Sequence, residues 1–224
     1  MKNALSPEEL FDLSRSRAGE FLRDLEYPWQ ALPFIGEWIL KIGATLPADL
    51  YDHPQDNVWI AKSARVAASA SLTGPLIIGE NTEVRHCAFI RGNALVGDGA
   101  VVGNSTELKN VILFDGVQVP HYNYVGDSIL GYHAHLGAGA LTSNVKSDKK
   151  NVVVRAEGKE IETGRKKVGA MVGDDVEVGC GSVLNPGTVI GRGASVYPLS
   201  SVRGFVPARH IYKKQGEIAL KKEQ

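Results

Sequence analysis

The stretch VGDDVEVGCGSVLNPGTVIGRGASV, residues 172–196, carries a large aliphatic side chain at every sixth position: Val172, Val178, Leu184, Ile190 and Val196. Val202 extends the series downstream. Upstream, the same period runs through Ile60, Val66, Leu72, Ile78, Val84, Ile90, Val96, Val102, Leu108 and Phe114, and first fails at Pro120. It continues as Tyr124, Leu130 and Leu136 after a slip of two residues. Four residues after the first ten positions stand Ala64, Ala70, Leu76, Thr82, Ala88, Ala94, Ala100, Thr106, Ile112 and Gln118, seven of them Ala or Thr. Neither the helical period nor strict alternation gives this pattern. A bulky residue filling an interior and a small one easing a corner is what a parallel β-solenoid requires.

Residues 58–205 are therefore read as solenoid, interrupted at about 146–167 by KSDKKNVVVRAEGKEIETGRKK, a basic loop with eight Lys or Arg and an expected hairpin around Glu157-Gly158. Residues 1–50 are read as a helical cap over the open first coil. Ser6-Pro7-Glu8-Glu9 has the form of a capping box opening a helix of about 18 residues, and a second apolar stretch from Tyr27 to Ile42 suggests a short helix. Residues 206–224 are expected to form a C-terminal helical tail.

Lys plus Arg equals Asp plus Glu at 25 each in 224 residues, which leaves no global field for nucleic acid or an anionic membrane. No apolar run approaches the ~20 residues that span a bilayer, and MKNALSPEEL is too polar for a signal peptide, so a cytoplasmic location is expected. Cys87 and Cys180 form no CxxC pair. Any anion site must be local, and the repeat suggests one. If three hexads make one coil, residues 18 apart stack at ~4.8 Å, which places Arg91 over Lys109 on the outer surface as a cation pair that an anion would stabilise. His121, twelve residues beyond Lys109, falls on a different face, so these groups meet only around an edge or between subunits.

The run GNSTELKNVILFDGVQVPHYNYVGDSILGYHAHLGAGALTSN, residues 103–144, resembles the acetyltransferase domain of the bacterial bifunctional glucosamine-1-phosphate acetyltransferase/N-acetylglucosamine-1-phosphate uridyltransferase family. That resemblance implies an all-β, left-handed parallel β-helix of hexapeptide repeats, working as a homotrimer with active sites between subunits and with acetyl-CoA as acyl donor. It implies His121 as catalytic base and Glu107 as a carboxylate beside it. It further implies Arg91, Lys109 and Lys150 as phosphate ligands, Tyr124 and Asn144 as acceptor contacts, and Ala138 as a backbone contact to acetyl-CoA. Three positions depart from the family: His135 stands where it has a substrate-binding asparagine, Cys180 where it has a serine touching coenzyme A, and Pro198 where it has a small residue. His135 and Cys180 are kept as candidate substrate and coenzyme contacts. No glycine-rich nucleotide loop precedes residue 58, so uridyl transfer is not expected.

Acyl transfer from a thioester to an amine asks mainly for a positioned neutral amine and a base, for which an imidazole is suited. An N–H in the turn Gly137-Ala138-Gly139 would receive the oxyanion. The expected activity is thus transfer of an acetyl or related acyl group from coenzyme A to the amine of a phosphorylated or nucleotide-linked amino sugar, such as glucosamine-1-phosphate, with no metal. The zinc carbonic anhydrases of similar fold need three histidines. His86 and His121 are 35 apart here, but residue 126 is Gly, so that chemistry is set aside. His133 and His135, two apart, are expected on one side of a strand. The alternative reading is a non-catalytic sugar-phosphate or nucleotide-sugar binding or assembly subunit of the same fold, whose basic loop serves a partner protein instead of folding over the coenzyme's phosphates.

Overall fold

The computed structural model describes residues 3–214 and 217–221. Short strands wind into a three-sided parallel β-helix of about nine turns. One side, the covered face, stacks Val58–Ala61, Leu76–Ile78, Ala94–Val96, residues 111–113 and 128–130, Ala170–Val172, Thr188–Ile190 and Phe205–Val206. A second, the His121 face, includes Val101–Asn104, Gln118–His121, His135–Leu136 and Glu177–Val178. The third, the Arg91 face, includes Phe89–Arg91, residues 107–109 and 124–126, Leu141–Thr142 and Val183–Leu184. Among the described residues no helix is long and apolar enough to cross a membrane.

The six-residue rule holds with local corrections at two places, one at the C-terminal end, where Phe205 pairs with Val189 only 16 residues back, and one in the middle of the coil. Strand partners are 18 apart up to Leu108 over Ile90, but 17 apart for Val111 over Ala94, Ser128 over Val111 and Tyr124 over Glu107. One residue is missing from the corner at Asn110 and again at Asp127, where φ is +56° and +48°. The interior residues of these rungs are consequently Leu113, Val119 and Val125, all fully buried, in place of the expected Phe114, Pro120 and Tyr124. Side chains of Asn and Asp tolerate this left-handed conformation better than most. The two shortened corners let Glu107–Leu113 and Tyr124–Leu130 run unbroken from the Arg91 face onto the covered face.

On the covered face the outward column is apolar: Ile77, Leu95, Ile112, Ile129, Met171 and Val189, each no more than 1% exposed. Sheets buried on both sides read as continuous apolar triplets, and LII, ALV, VIL, AMV and TVI do so here. The N-terminal segment supplies the cover. Its helices α1 (Pro7–Leu10), α2 (Gly19–Arg23) and α3 (Ile35–Gly43) are linked by 3₁₀ turns. They lie along this face instead of plugging the end of the coil, with α3 against strands 76–78, 94–96 and 107–113. The expected 18-residue helix is broken into short pieces, and two carbonyls at the breaks bond to the coil instead. Leu10 O and Arg15 O accept from the N–H groups of Asp174 and Asp115, both at 3.1 Å. Ser6 precedes α1, but its side chain makes no capping bond.

The insertion does contain a hairpin, Val153–Ala156 paired with Lys159–Glu162 around a turn at Glu157-Gly158. It packs on the covered face beside residues 188–190 and 205–206, with Val152 and Val154 fully buried. The C-terminal expectation fails: His210–Lys214 and Glu217–Leu220 form an antiparallel hairpin, not a helix. Tyr212 is buried there and the alternation HIYKK fits a strand. Residues 215–216 and 222–224 of the expected tail lie outside the described residues.

Candidate functional site

His121 ends its strand at the edge between the His121 face and the Arg91 face. Gly103 lies beneath Pro120, where a Cβ would stand 1.6 Å from the Pro120 carbonyl oxygen, so only glycine lets this rung seat. The backbone bonds Gly139 N–H to His121 O (3.0 Å), Gly181 N–H to Ala138 O (2.9 Å) and Leu199 N–H to Cys180 O (2.9 Å) make His121, Ala138, Cys180 and Pro198 successive rungs of one edge. All but Ala138 are departures or candidates of different origin, and the fold aligns them. His121, Ala138 and Cys180 are exposed. Among the described residues the His121 ring has no hydrogen-bond or ion-pair partner, and Ala138 N–H is the one donor of its turn not committed to a carbonyl, since Gly137 N–H is taken by Val178 O and Gly139 N–H by His121 O.

On the adjoining Arg91 face the register stacks Glu107 on Phe89 and Leu108 on Ile90, which sets Lys109 beside Arg91. The cations are not left for an outside anion. Arg91 Nε donates to Glu107 Oε1 at 2.6 Å, and Lys109 Nζ donates to Asp127 Oδ1 at 2.9 Å and Oδ2 at 3.1 Å. Glu107 is thus turned to Arg91, not to the imidazole. That bond holds the Arg91 guanidinium even further above its ordinary range. Asn144 Nδ2 donates to Tyr124 Oη at 3.2 Å and to Asp127 Oδ2 at 2.6 Å. Burial pushes the Tyr124 phenol above its usual pKa, so Tyr124 stays a neutral donor and acceptor at any ordinary pH.

Two candidates sit apart. His135 Nδ1 pairs with Glu177 Oε2 at 2.7 Å and stacks on Gln118, three residues and about 10 Å back along the strand from His121. His133 occupies a turn at φ +55°, stacked on Tyr132, and does not share a strand side with His135. Lys150 is exposed on the outgoing limb of the insertion, where its N–H donates to Asp148.

Two residues were missed. Asp127, only 2% exposed, gathers Lys109, Asn110 and Asn144. Asn123, also 2% exposed, accepts from His121 N–H and donates to Gly137 O and Ala140 O, locking the His121 corner to the glycine turn. The sequence held a signal for Asn123: it fills the corner slot that is Ala88, Thr106, Ala140, Ser182 and Ser200 in other rungs, and a buried amide there needs partners.

A family model described as the GMPPB C-terminal domain matches residues 72–192. The bifunctional protein GlmU of Methanococcus maripaludis is 29% identical over 206 residues, covering 91% of this chain and 50% of that protein. A bifunctional sugar-1-phosphate nucleotidylyltransferase/acetyltransferase of Sulfurisphaera tokodaii is 31% identical, covering 85% and 48%. The chain spans about half the length of these relatives. Among solved structures, the acetyltransferase domain of PglB from Neisseria gonorrhoeae in complex with acetyl coenzyme A is 18% identical with a TM-score of 0.39, covering 69% of this chain and 53% of that one.

Proposed function

The chain belongs to the GMPPB C-terminal domain family, and from that premise we propose that it transfers an acyl group from coenzyme A to the amine of an amino sugar, as a homotrimer with His121 as general base. One observation carries this reading: an unpartnered imidazole, an uncommitted N–H and the coenzyme candidate Cys180 fall on consecutive rungs of one edge. A thioester running along that edge would bring its carbonyl to His121. The amine nitrogen attacks that carbon, forming the C–N bond and a tetrahedral oxyanion while the amine's proton passes to the imidazole; as the oxyanion collapses the C–S bond breaks and the departing thiolate takes the proton from the imidazolium. Ala138 N–H is assigned to the oxyanion. Tyr124 and Asn144, joined to each other, contact the sugar, and Arg91 with Lys109 faces its phosphate. The relative named as a sugar-1-phosphate nucleotidylyltransferase/acetyltransferase supports glucosamine-1-phosphate as the first acceptor to try. Purified protein should release free thiol from acetyl-CoA with that acceptor or another amino sugar, and no release across such a panel overturns the proposal.

A second reading, a binding or assembly subunit without catalysis, is favoured by the internal pairing of Arg91 with Glu107, which leaves His121 without its expected carboxylate. Thermal stabilisation separates the two. A ligand at 100 times its Kd adds ~2.7 kcal/mol. Stabilisation by coenzyme A supports the enzyme; stabilisation by sugar phosphates alone supports the binding subunit.

A further inference from the structure

The insertion returns to the coil through Arg165, Lys166 and Lys167. Two cations elsewhere in the insertion have carboxylates, Lys146 with Asp148 at 3.3 Å and Arg155 with Glu160 at 2.7 Å. Among the described residues the charged groups of this returning limb have none, and Arg165 Nε is buried without a hydrogen-bond partner. The limb itself is firmly held. Arg165 O accepts from Val152 N–H at 2.7 Å, Arg165 N–H donates to Thr163 Oγ1 at 3.2 Å, and Val168 N–H donates to Asn144 O at 3.0 Å. Three unpaired cations are therefore carried on an ordered backbone.

They form one wall of an open cleft of about 540 Å³, whose other wall includes Lys109 and the amides of Asn93 and Asn110. Four cations face one carboxylate in that cleft, a net charge of +3, and the carboxylate, Asp127, is already bonded to Lys109, Asn110 and Asn144. The site is electropositive and polar, with the Asn93 amide as a neutral donor, since Asn110 Nδ2 is taken by Leu32 O and Asp127 Oδ1, and this is the chemistry of a phosphoryl pocket. We propose that this cleft binds the diphosphate of a diphosphate-linked amino sugar, with Arg165, Lys166 and Lys167 as its ligands. The assignment to the acceptor rests on the acyltransferase reading; the assignment of a diphosphate site does not. Span favours the longer ligand. The chain crosses the Arg91 face in three residues, Tyr124 to Gly126, so the cleft lies about 10 Å from the His121 edge. An amine at His121 and a phosphoryl group at Arg165–Lys167 belong to one molecule only if a sugar ring and a linking phosphate lie between them.

Coenzyme A also carries a diphosphate, so the test has arms for both sources. Inorganic pyrophosphate titrated into the full chain by calorimetry should bind, and the triple variant Arg165→Gln/Lys166→Gln/Lys167→Gln should bind it at least tenfold more weakly. The single variant Lys166→Gln, at an exposed position, should weaken it severalfold if the triple variant does not fold. His121→Ala should bind pyrophosphate as the wild type does, and the limb variants should keep wild-type affinity for coenzyme A. Absence of pyrophosphate binding, or binding indifferent to the limb, removes the site. Loss of coenzyme A affinity in the limb variants transfers the site to the donor and overturns the acceptor assignment. Retained pyrophosphate binding in a protein that releases no thiol from acetyl-CoA, with nucleoside-diphosphate amino sugars among the acceptors, keeps the diphosphate site and removes only its assignment to an acceptor.

Discussion

The Arg91 face is bounded by two edges that treat their polar groups in opposite ways. At the edge shared with the covered face, Asp127 satisfies Lys109, Asn110 and Asn144 at once and Asn110 reaches Leu32 O of the N-terminal segment. At the edge shared with the His121 face, the imidazole of His121 and the N–H of Ala138 have no partner among the described residues. The first edge carries the shortened corners at Asn110 and Asp127, the second the turns at Ser105 and Tyr122, and all four residues have φ between +48° and +56°. What differs is whether the corner's donors and acceptors are consumed internally. A saturated corner holds geometry, and an unsaturated one is left with groups to offer a ligand.

The most direct way to break this contrast is His121→Ala. It should lower kcat by about 10²–10⁴-fold, the range for loss of a general base, with unfolding free energy within ~0.5 kcal/mol of wild type because the side chain is exposed and unpartnered. Steady-state kinetics and urea unfolding of the same preparation check both halves; a stability loss matching the activity loss would mean that His121 belongs to the scaffold. Asp127→Ala should behave in the opposite sense. Removing a carboxylate that is 2% exposed strands an ammonium and two amides, at a cost of about 3 kcal/mol in urea unfolding. If Asp127→Ala unfolds like the wild type, the edges do not differ in kind.

The repeat itself was readable because every sixth residue faces a continuous interior, a demand no surface ligand can relax. Its corners were not. The missing residues at Asn110 and Asp127 each shift the apolar rhythm by one, and Phe114 kept the pattern alive because Phe11 covers it at 5.0 Å between ring centroids. Which face is covered was written in the triplets LII, ALV and VIL, where the middle residue points outward and is still apolar, a signal lost when only every sixth position is counted. The candidate site residues were named through the resemblance around PHYNYVGD, but their pairings were not readable there. Whether Glu107 turns to Arg91 or His121 depends on side chains two rungs apart in sequence, which no local spacing encodes.

The covered and bare faces sharpen the same point at smaller scale. Ile129→Val removes one methylene from a fully buried outward position and should cost about 1 kcal/mol, whereas Leu141→Val, half-buried on the Arg91 face, should cost under ~0.5 kcal/mol by the same unfolding measurement. Equal costs would place a cover over the Arg91 face too, as a subunit contact does. Arg91→Gln breaks an ion pair whose side chains are 43% and 33% exposed, so stability should change by under ~1 kcal/mol. Its effect belongs in the acceptor KM, raised with kcat little changed; a fall in kcat alone would move Arg91 from acceptor binding to the reacting centre.

The subtlest test concerns the strap over the covered face. Asp115, half-buried, accepts Asp98 N–H at 2.8 Å, and its N–H donates to Arg15 O. Burial, reinforced by the charge of Asp98, raises its pKa above 3.8. A carboxyl whose folded pKa exceeds its unfolded value binds its proton more tightly when folded, so its contribution to stability is greatest below the unfolded pKa, falls as pH rises through the folded pKa, and is constant above it. Asp115→Asn keeps an oxygen for Asp98 N–H but carries no charge. Its stability relative to wild type should therefore climb with pH across that window and then level off, read from urea unfolding at stepped pH. A difference that instead shrinks as pH rises would mean that Arg17 and Arg15 outweigh desolvation at this corner, and that the strap is held by charge more than by the two backbone bonds at Leu10 and Arg15.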